Sequence, residues 1–163
     1  MERIPITPKG YAKLEKEIDY LKNVERPNII KSIQVARDFG DLSENADYST
    51  AKEKQSFIEG RIKDMEHLQS KAEIIRHRPE SSSDNPELSV SFGARVTLKN
   101  VNNNNIIAYT LVGDYEANIN QNLISISSPL AKAMIGFIQD DIIEIENSGK
   151  KYMILKIEHK AEV

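Results

Sequence analysis

Four carboxylates, Asp38, Asp41, Glu44 and Asp47, fall within ten residues of one another. No Lys or Arg interrupts the chain from Asp38 to Ala51, and Gly40 sits inside the acidic run. Like charges held this close repel, so the arrangement makes sense where something positive meets it, and a hard divalent cation is the natural candidate. Mg²⁺ commonly takes only one or two protein carboxylates and keeps its other positions for water and phosphate. The turn would then be a half-site that needs a partner to complete it. A structural reading fits the same residues. Asp41-Leu-Ser-Glu44 has the spacing of a capping box, and acids at a helix start are stabilised by the helix dipole. Asp38 and Asp47 are not needed for capping. From the residues alone the capping box is the favoured reading, with the metal half-site as its alternative.

Other candidates for chemistry are thinner. Arg37 precedes the acids, and Lys52 and Lys54 follow them. With Arg61 and Lys63, the lysines form a possible basic stripe for steering a nucleic-acid end, but Glu53, Glu59 and Asp64 intersperse them as on a solvated helix face. His67, His77 and His159 have no Cys or His companions at zinc-ligand spacing. There is no glycine-rich phosphate loop and no spacing that suggests a Ser-His-Asp set.

Long helical patterns run away from the acidic turn on both sides. Thr7-Pro8 reads as an N-cap followed by proline at the first helical position. Leu14, Ile18, Leu21 and Val24 recur at helical spacing, and Pro27 predicts a kink or restart. Ile30, Ile33 and Arg37, with Ala36 adjacent, continue the arm to Gly40, which can take the positive φ of a helix stop. Beyond the turn, Ile58, Ile62, Met65, Leu68, Ala72 and Ile75 are spaced 4, 3, 3, 4 and 3, the seam of a coiled coil. Two such helices joined by a short turn predict an antiparallel hairpin over 1–76 with the acids at its tip. Gly60, inside the second arm, is expected to let the arms approach closely.

Residues 77–91 are crowded with proline, serine and acids and read as a linker. The period then changes from helical to strand-like. Ala94–Lys99, Ile106–Val112, Leu123–Ile126, Ile142–Glu146 and Tyr152–Glu158 are rich in β-branched residues, with a hairpin tip at Asn102–Asn105. Ser128-Pro129 opens a short helix closed by Gly136. Residues 92–163 are therefore expected to form an antiparallel sheet with one helix, and the whole chain an α+β protein of two domains.

Composition narrows the classes. The 163 residues carry 22 Lys+Arg and 25 Asp+Glu, and residues 1–76 balance at 14 of each. This argues against affinity gained by neutralising phosphates over a broad basic face. With no cysteine there are no disulfides and no thiolate chemistry, as suits a reducing compartment. No apolar run has signal-peptide or membrane-spanning character, so a cytoplasmic location is expected.

Several segments are familiar together. Ile4-Pro-Ile-Thr-Pro-Lys-Gly10, Lys13-Leu-Glu-Lys-Glu-Ile18, Arg26-Pro27, Gly40-Asp-Leu-Ser-Glu-Asn-Ala-Asp-Tyr48 and Glu59-Gly-Arg-Ile-Lys-Asp64 resemble the GreA/GreB family of bacterial transcript cleavage factors. So do Phe92-Gly-Ala-Arg-Val-Thr97, Val112-Gly-Asp-Tyr-Glu-Ala117, Asn122-Leu-Ile-Ser-Ile126 and Ser128-Pro-Leu-Ala131. The match runs in order along the whole chain; the short linker and modest basic content look more like the GreA branch. The resemblance implies a coiled-coil hairpin followed by an FKBP-like domain that docks on RNA polymerase at its secondary channel. It implies that the tip acids Asp41 and Glu44 are the catalytic contribution, helping to hold a Mg²⁺ shared with the polymerase active centre while backtracked RNA is cleaved near its 3′ end. Ser43, Asn45 and Tyr48 would support the tip, and Arg37, Lys52 and Lys54 would steer RNA. Asp114, Glu116, Ser128 and Pro129 would belong to the docking surface.

Two positions depart from the family pattern: Ser43 stands where Lys is frequent, and Phe137-Ile-Gln-Asp140 replaces a Gly-Lys-acidic run. Asp41, Glu44, Asn45 and Tyr48 are intact, which favours an active cleavage stimulator over a non-cleaving regulator of the same channel. A prolyl isomerase is the third reading, by analogy with FKBP alone, and the low aromatic content offers little for a proline pocket.

Overall fold

The computed structural model describes residues 2–40, 45–76 and 89–159. The chain divides into two compact units, and the division does not follow chain order. Residues 11–72 form most of one unit, while residues 4–10 group with 73–163.

In the first unit, α1 (Pro8–Tyr20) runs through a π-turn (Leu21–Glu25) into α2 (Arg26–Asp38), and α3 (Ala46–Lys71) returns beside it. Proline at position 27 lacks an N–H and crowds the carbonyl four residues earlier, and the wide turn takes up that misfit. The turn also resets the phase of the arm. Ile29, Ile33 and Ala36 become the buried face, whereas Val24 and Ile30, expected on the seam, are 41% and 42% exposed. Ile29 and Ile33 pack with Ala51, Ile58 and Ile62 of α3, flanked by Leu21 and Tyr48. Cross-arm partners run in opposite senses: Lys22 with Glu66, Arg26 with Glu59, and Ala36 with Asn45. The Arg26–Glu59 pair is a two-pronged fork, with N···O distances of 2.7 and 2.9 Å. The 26 residues of α3 span about 39 Å at 1.5 Å each.

Three expectations for the arms are corrected. Gly60 faces open space, so it is not a point of close approach. The second arm ends at Lys71 rather than continuing to residue 76, because Ala72–Ile74 (β2) leaves the helix to pair with Ile4–Ile6 (β1). Ile75, counted in the helical seam, lies beyond the helix and donates its main-chain N–H to the carbonyl of Ile6 at 3.0 Å.

In the second unit, five strands lie in the order β5-β4-β3-β7-β6. They are β3 (Arg95–Asn100), β4 (Ile106–Val112), β5 (Leu123–Ser125), β6 (Ile142–Glu144) and β7 (Lys151–Glu158). The β3–β4 hairpin turns through the asparagines, where Asn104 takes φ 61° and Asn100 donates to the carbonyl of Asn105. Pairing is antiparallel except at one edge. There β5 lies parallel to β4, because two 3₁₀ turns (Asp114–Glu116 and Ile119–Gln121) carry the chain back before the strand begins. Val96 and Leu98 alternate inward from β3 and meet Leu111, Ile154 and Met134, all fully buried. Each such side chain contributes about 1.5–3 kcal/mol of burial. Met134 belongs to α4 (Pro129–Met134), capped by Ser128, whose hydroxyl accepts from the N–H of Ala131 at 3.2 Å. Of the expected linker, residues 77–88 lie outside the described residues. Among the described residues, no helix is long and apolar enough to cross a membrane.

Candidate functional site

The far end of the hairpin is built by two different terminations. α2 closes with a tightened turn in which Phe39 and Gly40 donate to the carbonyls of Ala36 and Arg37. Gly40 then takes φ +108°, a conformation that a side chain resists. α3 begins at Asn45, whose Oδ1 accepts from the N–H of Tyr48 at 3.0 Å. The same side chain reaches across the hairpin, and its Nδ2 donates to the carbonyl of Ala36 at 2.6 Å. One residue thus caps the start of one arm and satisfies a carbonyl near the end of the other. Tyr48 sits one turn further on and packs on the apolar seam between the arms.

The capping-box expectation is corrected at this point. Asn45 is the N-cap of α3, so Asp41 and Glu44 precede the cap rather than forming it. Asp41, Ser43 and Glu44 themselves lie outside the described residues. They belong to the four residues joining Gly40 to Asn45, and the N-cap hydrogen bond of α3 is made by Asn45. Asp38 and Asp47 are both solvent-exposed on either side. Among the described residues, no group of three or more His, Asp or Glu is placed to hold a metal ion.

The basic residues do not form one stripe. Arg37, Lys52 and Lys54 are exposed, but Lys52 and Lys54 are two residues apart on α3 and point in different directions. Lys52 lies 3.4 Å from the side-chain oxygen of Gln55, and Arg61 pairs with Glu17 at 3.0 Å. His67 is exposed on α3, a surface residue as expected. Phe39, by contrast, stands out: it is 80% exposed, beside a groove of about 490 Å³ lined in part by Val35, Ala36 and Ala51.

In the second unit, the four residues expected to dock separate into two kinds. Asp114 accepts hydrogen bonds from the hydroxyls of Ser125 and of Ser127, the latter at 2.6 Å. These hold its carboxyl below the usual aspartate range against a small opposing effect of burial. They also bring Asp114 to the exposed segment that leads into Ser128 and Pro129. Glu116 behaves differently, because its carboxylate is engaged internally by Thr7 and Gly113. No local signal in the sequence announces that contact, since Thr7 and Glu116 are 109 residues apart.

Residues 4–74 match the family described as transcription elongation factor, N-terminal, and residues 85–159 match that described as transcription elongation factor, GreA/GreB, C-terminal. The chain is 49% identical to transcription elongation factor GreA of Ruegeria pomeroyi, over 98% of this chain and 99% of that protein. It is 47% identical to the protein of the same name from Orientia tsutsugamushi, over 98% of each. Among solved structures, GreA factor homolog 1 of Thermus thermophilus is 22% identical, with a TM-score of 0.43 over 96% of this chain and 99% of that one.

Proposed function

The chain belongs to the GreA/GreB family of transcription elongation factors, and from that premise we propose that it binds RNA polymerase and stimulates the polymerase's own cleavage of backtracked RNA. The second unit docks at the rim of the secondary channel, and the hairpin enters it. The observation that carries this reading is the pair Asp41 and Glu44 in the four-residue connection between Gly40 and Asn45, at the end of a long narrow element. On either side, Asn45 supplies the cap of α3 and a donor to the Ala36 carbonyl, so neither role calls on Asp41 or Glu44.

The donor set suits Mg²⁺: two hard oxygen ligands and no nitrogen or sulfur, too few to fill its shell alone. Asp41 and Glu44 would hold it, leaving water, RNA phosphate and polymerase groups to complete the coordination. When bound, the ion supplies charge stabilisation and an activated water at a phosphodiester. The protein's part is to carry two acids to the reaction, present them on a rigid arm and withdraw. It contributes part of a site rather than an enzyme. The side-chain bridge from Asn45 to Ala36 favours this by holding the arm ends together whatever residues 41–44 bind.

The test is a purified elongation complex of the matching polymerase, stalled and backtracked, given the wild-type protein and Mg²⁺. Release of short RNA from the 3′ end, followed by renewed extension, is expected. Binding to polymerase with no acceleration of release would contradict the reading and leave a regulator that only occupies the channel.

A further inference from the structure

The half-buried Glu116 carboxylate accepts three hydrogen bonds within its own unit. Its Oε2 accepts from the main-chain N–H groups of Thr7 and Gly113, both at 3.0 Å, and its Oε1 accepts from the Thr7 hydroxyl. Thr7 is buried, at 7% exposure, and its Oγ1 also accepts from the N–H of Gly10 at 3.0 Å, capping α1. The surroundings are shaped to the carboxylate. A Cβ at Gly10 would lie 2.1 Å from Oε1 of Glu116, and one at Gly113 would lie 2.3 Å from the carbonyl oxygen of Pro5. All of these residues belong to the same compact unit, although α1 itself continues unbroken to Tyr20. Thr7 to Gly10 are thus the first turn of the hairpin's first arm, held by the turn that follows β4.

We propose that Glu116 is a positioning residue for transcript cleavage: its carboxylate clamps Thr7, and with it the first turn of the arm that carries the acids. The proposal rests on the functional reading above. Placement errors of about 1 Å can cost on the order of 100-fold in rate, so a clamp at the root of an arm has leverage at its tip. Glutamine can preserve the clamp without charge. Its carbonyl oxygen can accept from both N–H groups while its amide donates to the second lone pair of the Thr7 hydroxyl. Alanine removes every bond.

The experiment measures the cleavage rate of a backtracked complex against factor concentration, for wild type, Glu116→Ala, Glu116→Gln and Thr7→Val. We expect Glu116→Ala to lower the saturating rate at least about tenfold while the half-saturating concentration stays within about twofold, and Glu116→Gln to recover to within about threefold of wild type. Thr7→Val, which loses only the hydroxyl, falls between them; it carries the test by itself should Glu116→Ala not fold by circular dichroism. A raised half-saturating concentration with an unchanged saturating rate would make Glu116 a polymerase contact and overturn the proposal. So would a glutamine variant as poor as alanine, or variants equal to wild type. A wild-type protein that stimulates no cleavage would instead sink the functional reading, and the clamp's role with it.

Discussion

The side-chain amide of Asn45 donates to the main-chain carbonyl of Ala36 at 2.6 Å, tying the start of the hairpin's second arm to the end of its first. The bond closes the helical part of the hairpin without residues 41–44. It is made by groups outside the acidic connection, so Asn45 can be altered with the acids left in place.

Replacing Asn45 tests that bond. Asn45→Ala loses both the cap and the bridge and should cost about 1–2 kcal/mol in urea unfolding. Asn45→Asp keeps a good capping oxygen but sets a carboxylate oxygen against the Ala36 carbonyl. It should therefore be less stable than wild type, with faster amide exchange at Gly40. An Asp variant as stable as wild type would show that the bridge contributes nothing.

The seam and the surface of α3 should respond oppositely to truncation. Ile62 is 3% exposed and packed between the arms, and Ile62→Ala should destabilise by about 2–4 kcal/mol. Phe57 is 73% exposed, and Phe57→Ala should change stability by no more than about 0.5 kcal/mol. Denaturant midpoints measured side by side decide this.

Asp114 supplies a pH dependence with a definite sign. Hydrogen bonds from Ser125 and Ser127 lower its pKa in the folded protein. Its contribution is then fully present above the unfolded-state aspartate pKa of about 3.9 and is lost as pH falls through the lower folded value. The stability difference between wild type and Asp114→Asn should be constant near neutral pH and shrink below about pH 4. Carboxyl NMR titration of the Ser125→Ala, Ser127→Ala double variant should show the Asp114 pKa moving up. An unchanged titration would mean the hydroxyls do not hold it.

Much of this organisation is legible locally. Helix existence follows from the spacing of Leu14, Ile18, Ile58, Ile62 and Met65, and the strands follow from β-branched runs punctuated by asparagine and glycine. What escapes is set by distant partners. Ile75 continues the helical spacing perfectly, yet Ala72–Ile74 pairs with a strand near the N-terminus. Pro27 announces a break, but the choice of Ile29 over Ile30 for the interior depends on Ile58 and Ile62 across the hairpin. The parallel placement of β5 depends on the two turns before it, and nothing beside Glu116 points to Thr7. At the tip, two cap signals overlap within five residues. Asn45 prevails because it can bond Tyr48 and Ala36 at once, which a carboxylate cannot do.

The central claim is that Asp41 and Glu44 act as metal-holding acids and not as helix caps. Its most direct test compares wild type with Asp41→Asn and Glu44→Gln on a backtracked elongation complex at saturating factor. Each substitution keeps size and removes charge. Both variants should keep the wild-type circular dichroism and compete for polymerase as well as wild type, yet lose at least about tenfold in the rate of RNA release. Release at the wild-type rate by either variant, with binding intact, would contradict the account at that residue.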